Sequence, residues 1–440
     1  MLRGLLPTLA LAACSAGAAA AQAPGSLRAR FTELFRFGGS VCGTNALFCL
    51  VNSSGASAAD AFSTNANTTA QSLTRYVQAA ISQGIANAPI PSTSSGTTFR
   101  LTGAGVPVRN ADESAGPIFG ERATTLGRGR LLVGANLIEL SLDQLRGTPI
   151  DEIRFNIAQR DLPPGGGELG DPVIEQTYLA VATHIGLQAR VTNLFATYGF
   201  RDWLDLGVTV PFVQASLSGY SDARIVPGTD SDPAAGFSFG GPPEDPRLTA
   251  RTEELSRATA FGLGDVSLRG KARLSDPDAR LGLGLQLDAR LPTGNSDDFM
   301  GTGRLWLRVL GIASWRVADG VVPHANLGYY RRPGEGLQDA AVAALGFDAR
   351  VSDALTLAGD LLGTITLGAN PLASRTITIS GAEPILTSNI PTRRDDTFDA
   401  ALGAKYTIGA FTVFANGIVA LNAGGLRGGL TWASGVQAAF

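Results

Sequence analysis

Leu281, Leu283, Leu285, Leu287, Ala289 and Leu291 fall on one parity of a single run, and Gly282, Gly284, Gln286, Asp288 and Arg290 on the other. Successive side chains of an extended strand point to opposite faces, so this run has one aliphatic face and one of glycine, amide and charge. The run before it repeats the pattern: Val266, Leu268, Ala272 and Leu274 oppose Asp265, Ser267, Arg269, Lys271 and Arg273. Ser275-Asp276-Pro277-Asp278 joins the two as a tight turn. Such a hairpin has two homes. In a soluble sandwich the greasy face turns to a core and the charged face to water. In an outer-membrane barrel the greasy face meets lipid and the charged face lines the lumen.

The rest of the chain decides between them. Alternation recurs in Arg128–Leu142, Thr177–Gly199, Trp203–Leu217, Phe261–Leu274, Leu281–Pro292 and Arg304–Val317. It continues in Val321–Arg331, Gln338–Val351, Ala354–Leu367, Thr397–Thr407, Phe411–Asn422 and Gly429–Phe440. Connections between these runs alternate short and long. The short ones are Arg201-Asp202, Ser275 to Asp278, Ala318 to Gly320, Ser352-Asp353 and Ile408-Gly409. Twelve strands put every short turn on one side, as in outer-membrane barrels, where periplasmic turns are short and outer loops long. The expected fold is all-β: a transmembrane antiparallel barrel of about twelve strands over residues 125–440. The chain ends on Phe440, in parity with Trp432, Val436 and Ala438. A terminal aromatic of this kind resembles the last strand of bacterial outer-membrane proteins, which the barrel-assembly machinery reads. Phe212 and Phe398 are expected at the outer interface, and Trp315, Tyr406 and Phe411 at the periplasmic one.

Residues 1–21 read as a secretory signal, with Arg3 at the start, an apolar centre from Leu5 to Ala13, and a small-residue site ending at Ala21. A lipoprotein signal with lipidation at Cys14 competes with it. Cys42 and Cys49 then remain, and an oxidising periplasm favours a small disulfide loop between them. Residues 22–124 differ from the barrel. Leu27 to Phe37 suits a short helix, and Thr68 to Ala86 carries Leu73, Val77, Ala80, Ile81 and Ile85 at helical spacing. This region is expected to be a plug inside the barrel or a periplasmic subdomain.

The net charge of −3, with no basic cluster, excludes a nucleic-acid binder. No G-x-S-x-G elbow, P-loop, H-E-x-x-H or cysteine-pair zinc pattern occurs, so no enzyme, cofactor or metal centre is expected. The two histidines, His184 and His324, are far apart, and His184 is assigned to the lumen parity. The Asp143–Gln176 and Ser218–Ala260 stretches read as solvated loops. Function is expected on the lumen wall, at Asp265, Arg269, Lys271, Asp288, Arg290, Arg304, Arg308, Asp360, Asp399 and Lys405. Arg304 and Arg308 lead as elements of a polar path with a mild anion preference.

Gly262-Leu263-Gly264-Asp265, followed by the charged strand and the run closing at Leu291-Pro292-Thr293-Gly294, resembles the outer-membrane family associated with a phenol-degradation pathway (the MetA-pathway family). Tyr198-Gly199-Phe200 with Leu204-Asp205-Leu206-Gly207 and Val210-Pro211 resembles that family's earlier hairpin. More distantly, the family is similar to channels that pass fatty acids and aromatic hydrocarbons and carry an N-terminal hatch. The resemblance implies an outer-membrane transporter or channel working by passive diffusion on small molecules, hydrophobic or aromatic ones among them. Its partners would be outer-membrane lipid and lipopolysaccharide, the assembly machinery, and the solute. The alternative is a barrel with a sealed lumen, serving as a wall protein or surface binder.

Overall fold

The computed structural model describes residues 25–37, 49–51, 55, 62, 75–77, 79–85, 99–101, 107–109, 114–159, 177–227, 236–242, 244–334, 337–369, 376–377 and 384–440. The leader and Cys42 lie outside this set, so signal cleavage and the Cys42–Cys49 link stand as expectations; Cys49 is buried.

Twelve antiparallel strands close into a barrel: β1 (Leu131–Ser141), β2 (Tyr178–Arg201), β3 (Leu204–Val226), β4 (Ser267–Arg273), β5 (Leu281–Arg290), β6 (Trp306–Trp315), β7 (Val321–Arg331), β8 (Asp339–Arg350), β9 (Leu355–Leu367), β10 (Thr397–Ile408), β11 (Phe411–Ala420) and β12 (Leu430–Ala439). Each pairs with its sequence neighbour, and β12 returns to β1 with Trp432 opposite Glu139 and Ala439 opposite Leu132. Leu131 and Phe440 seal this seam by exchanging both backbone hydrogen bonds, at 2.9 and 2.8 Å. Closure removes the free edges an open sheet would leave, the condition for a sheet to cross lipid.

The polarity runs opposite to that of a soluble protein. Leu283, Leu285, Leu287, Leu307, Leu327, Leu345, Leu361 and Leu402 are exposed on the outer surface, while Lys271, Gln286, Asn326, Asp348, Asp360 and Lys405 are buried inside. Trp203, Trp315, Tyr406, Phe411 and Phe440 ring the short-turn end, and Phe261, Tyr329, Phe398 and Trp432 the other. Phe212 stacks on Phe261 at 6.4 Å at that outer end. Along β10 the two rings are about 26 Å apart on the strand, or about 20 Å once the usual tilt is allowed for, close to the apolar band of such barrels. The molecule is an outer-membrane barrel.

Two strands leave the membrane. β2 and β3 run for 24 and 23 residues, roughly 75–80 Å each and far more than a hydrocarbon core needs. Along both, the alternation reverses phase. In the lower part Leu194, Tyr198, Leu206 and Val208 face out, and Asn193, Thr197, Asp205 and Thr209 are buried within. Above, Gln188, Arg190, Gln214 and Arg224 face out, and Leu187, Val191, Val213, Leu217 and Ile225 are buried. The strand never changes its face; the solvent outside it changes from acyl chain to water. The buried side of this extension forms one hydrophobic cluster with Leu27, Phe31 and Phe35 of the N-terminal region and with Val77, Ile81 and Ile85.

Three readings from sequence are corrected here. The stretches taken as solvated loops carry paired segments, Ile153–Ala158 on β2, and Thr249–Arg251 and Leu255–Leu263 on β3, with Ile150, Ile153, Phe155 and Ile157 buried. The expected strand Phe261–Leu274 is broken at Gly264-Asp265-Val266, because Asp265 turns to accept hydrogen bonds from Gly294 N at 3.0 Å and Thr302 N at 2.8 Å. His184 is not on the lumen side. It lies on the outward face of the extension, stacked on Tyr220 at 4.6 Å, since the interior parity of β2 is that of Thr183 and Ile185.

The N-terminal region has a short helix, α1 (Leu27–Glu33), capped by Ser26, whose Oγ accepts from Ala29 N. Residues 75–77 and 79–85 are helical too. Both stand at the outer end. Leu27 N bonds Asp298 in the β5–β6 connection at 2.9 Å, and Ile85 sits beside Val191 and Val213.

Candidate functional site

The lumen carries the site, and two pieces of the chain close it. The lower piece is the extended segment 114–126, which runs through the periplasmic half before entering β1. An extended segment inside a barrel cannot pair with strands already paired on both edges, so wall side chains must satisfy its backbone. They do so level by level. Leu126 N donates to Asp205 at 2.9 Å, Ala123 N to Ser314 Oγ at 3.2 Å, and Ala115 N to Thr356 Oγ1 at 2.8 Å. Asn326 accepts from Glu121 N and donates to Glu121 O, both at 2.8 Å. Asp360 accepts from Phe119 N at 3.0 Å and Gly120 N at 3.3 Å. Lys405 Nζ reaches Ala115 O at 3.4 Å.

Charge pairing fixes the same segment. Arg122 forks onto Asp348, which also takes the Ser114 hydroxyl. His324 stands between two carboxylates, with Nε2 2.7 Å from Asp360 and Nδ1 3.9 Å from Asp348. Glu121 pairs with Arg269 at 3.1 Å and Lys271 at 3.5 Å. The ladder climbs from there: Arg269 to Asp288 at 2.6 Å, and Asp288 to Arg308 at 2.7 Å. Buried ion pairs contribute little net stability because desolvation offsets their attraction. Their value here is register, since Arg122 meets Asp348 on one wall and Glu121 meets Arg269 and Lys271 on another.

Above Phe119 and Glu121 lies a cavity of about 230 Å³. Arg269, Asp288, Arg290 and Arg308 line it from β4 to β6; Val342, Leu362 and Ile418 line it from β8, β9 and β11, with Thr397 and Asp399 of β10 among them. A second cavity of about 140 Å³ shares Thr397, Asp399 and Ile418 with it and runs up to Tyr76, Ala80 and Gly84 of the N-terminal helix.

The upper closure is pinned at Asp395. Arg146, fully buried, forks onto its carboxylate through Nε and Nη2, both at 2.8 Å, and donates to Pro391 O at 3.2 Å. The Tyr76 hydroxyl donates to Asp395 at 2.8 Å, and the Arg146 guanidinium lies 4.9 Å from the Tyr76 ring centroid. Burial, with the Asp395 charge adding to it, holds the Tyr76 phenol above its ordinary pKa, so it stays a donor. One node thus ties the helix to the β1–β2 and β9–β10 connections.

The residues singled out from sequence fall in four places. Arg269, Lys271, Asp288, Asp360 and Lys405 meet the segment or the ladder on it, while Arg290 and Arg308 line the cavity. Asp399 bonds Arg427 and lines both cavities. Asp265 anchors the β5–β6 connection. Arg304 is exposed in that connection, ahead of β6. Strand parity already puts Asp348 on the lumen face, whereas sequence reasoning passed over Glu121, Arg122, Tyr76, Arg146, Asp395, Trp306 and Arg332. The first five of these are paired across long gaps in sequence, and no local pattern announces them. Trp306 and Arg332 do share the inward parity with Arg308 and Tyr330, and that signal was legible.

No family model matches the sequence, and no curated protein matches it. Solved structures do. An outer membrane channel from Pseudomonas putida F1 aligns over 72% of this chain and 98% of its own, at 13% identity and a TM-score of 0.40. A FadL homologue from Pseudomonas aeruginosa aligns over 71% and 89%, at 12% identity and a TM-score of 0.31. The P. putida toluene transporter TodX aligns over 70% and 87%, at 10% identity and a TM-score of 0.28. The architecture of the present chain rests on its own strand register.

Proposed function

We propose that this protein is a gated outer-membrane channel for small amphipathic molecules, aromatic ones included, moving by passive diffusion. The observation that carries the reading is the lumen cavity, lined by a charged ladder on β4–β6 and by a mixture of apolar side chains with Asp399 beyond it, held between two closures that are fixed by side-chain bonds rather than by strand pairing. A chamber of about 230 Å³ with both charged and aliphatic lining suits a small solute with a polar end and an apolar body. The pinning at Asp395 supports an outer gate, and the bonds to Asp348, Asp360 and Asn326 an inner one. Release of either set lets a segment leave without unfolding the barrel. The exposed Phe440, whose backbone seals the seam, supports its role as an assembly signal. The outer leucines support lipid, including lipopolysaccharide, as the surrounding partner.

The test is solute flux into liposomes. Purified protein should pass small amphipathic solutes, and Gly120→Val should pass them faster, because a Cβ at Gly120 would meet His324 Nε2 at 2.3 Å and push the segment off its seat. The dense bonding of segment 114–126 favours a second reading, a sealed barrel acting as wall or surface binder. Absence of flux in both proteins, with folding intact, would select that reading.

A further inference from the structure

Among the described residues, the outer end of the lumen holds buried donors that no acceptor meets. Trp306 is fully buried and lines the cavity, yet its indole Nε1 has no hydrogen-bond partner. Arg332 is 1% exposed, and both its terminal nitrogens, Nη1 and Nη2, lack partners. The two are neighbours: the Arg332 guanidinium carbon lies 5.9 Å from the Trp306 ring centroid and 5.6 Å from that of Tyr330. Trp306 and Tyr330 meet edge to face at 5.5 Å, so the group forms one inward-facing cluster at the ends of β6 and β7.

The carboxylates nearby are already engaged. Asp339 accepts from Arg332 N, Tyr329 and Arg331, and Asp395 is taken by Arg146 and Tyr76. Within its own side chain Arg332 uses only Nε, which donates to Gln338 O at 2.7 Å. Burial draws the Arg332 guanidinium below its ordinary pKa. Arg146 is buried as well, and burial lowers its pKa, but the hydrogen bonds and charges of Asp395 and Tyr76 together outweigh that and raise it. An enclosed guanidinium whose terminal nitrogens meet no carboxylate is costly even with Asp339 and Asp395 nearby, and two aromatic faces offset only part of that cost.

We propose that Arg332 and Trp306 form an oxyanion-binding subsite at the outer end of the lumen, its ligand the carboxylate of an organic solute. The planar guanidinium presents two parallel N–H donors, the geometry a carboxylate matches with both oxygens, and the indole N–H adds a third. Tyr330 and the apolar side chains below receive the organic body. Arg308 and Arg290 continue the basic lining inward. The proposal deepens the channel reading and rests on it for the ligand's route, since the donors are enclosed until the outer closure moves.

The experiment is calorimetric titration of the full-length, detergent-solubilised protein with sodium benzoate, sodium sulfate and benzyl alcohol, on the wild type, Arg332→Gln and Trp306→Phe. Benzoate should bind, benzyl alcohol should bind at least about tenfold more weakly, and each substitution should weaken benzoate by about tenfold, the usual worth of a charge-assisted hydrogen bond. Sulfate binding tighter than benzoate would overturn the carboxylate assignment. No oxyanion binding, or affinities unchanged in both variants, would overturn the subsite itself. If Arg332→Gln does not fold, Trp306→Phe, which removes one N–H and keeps the packing, decides. Flux is measured in parallel: binding without flux would remove the channel reading and leave the subsite, and flux without binding would do the reverse.

Discussion

Single side chains decide whether the lumen is shut. Asp348 neutralises Arg122 in a place that water does not reach. Asp348→Ala should leave that buried guanidinium without its carboxylate, at a cost of about 3–5 kcal/mol. The chain can avoid most of that cost by releasing segment 114–126. The expected outcome is therefore a modest loss in unfolding midpoint together with a clear rise in single-channel conductance. A large fall in stability with no conductance change would mean that the segment cannot leave. Asp395→Ala acts at the other closure. It removes the carboxylate that Arg146 and Tyr76 share, and should raise accessibility of the N-terminal helix to a water-soluble thiol reagent at Gln83→Cys, with barrel stability within about 1–2 kcal/mol of wild type. Alternation alone puts Asp348 on the lumen face, but the partners of both aspartates lie hundreds of residues away and no local pattern names them. Arg269 and Asp288 could be read because their alternation shares one hairpin.

At the scale of the element, the strand face is the unit that sequence fixes. β5 pairs in the register its pattern implies, with Asp288 opposite Arg269 and Arg308 on its two neighbours. Leu285, exposed near the middle of the belt, should tolerate other apolar residues. Leu285→Arg should cost about 2–4 kcal/mol, the depth-dependent penalty for a cation on the lipid face. Urea unfolding in lipid vesicles measures this, and a loss below about 0.5 kcal/mol would place the residue outside the bilayer. The same alternation misled where β2 and β3 pass the membrane boundary. A period of two reports only which residues share a face; it does not report whether that face meets lipid, water or a core. His184 was assigned to the lumen for this reason. The reversal of phase near Val191 and Val213 was present in the sequence, and only its meaning was not.

For the whole molecule, the extension is the feature that makes topology testable. With short turns facing the periplasm, the upper part of β2 and β3 rises about 40 Å along the strand beyond the phase reversal. Arg224→Cys, on its exposed face, should react with a membrane-impermeant maleimide on intact cells, while Leu285→Cys should not react until the membrane is dissolved. Labelling of neither on intact cells would invert the orientation or bury the extension in a partner.

Sequence by itself determined the barrel: twelve faces of alternating polarity and short turns on one side leave a closed sheet in lipid as the arrangement that satisfies both the backbone and the leucines. Those are local properties, set by the two-residue period and by turn chemistry. What fills the barrel was decided by tertiary structure alone. The path of residues 114–126, the pinning of the helix by Asp395, and the enclosure of Arg332 beside Trp306 all depend on which side chains twelve tilted strands bring to one height. That height follows from stagger around the whole barrel, a quantity no single stretch of the chain contains.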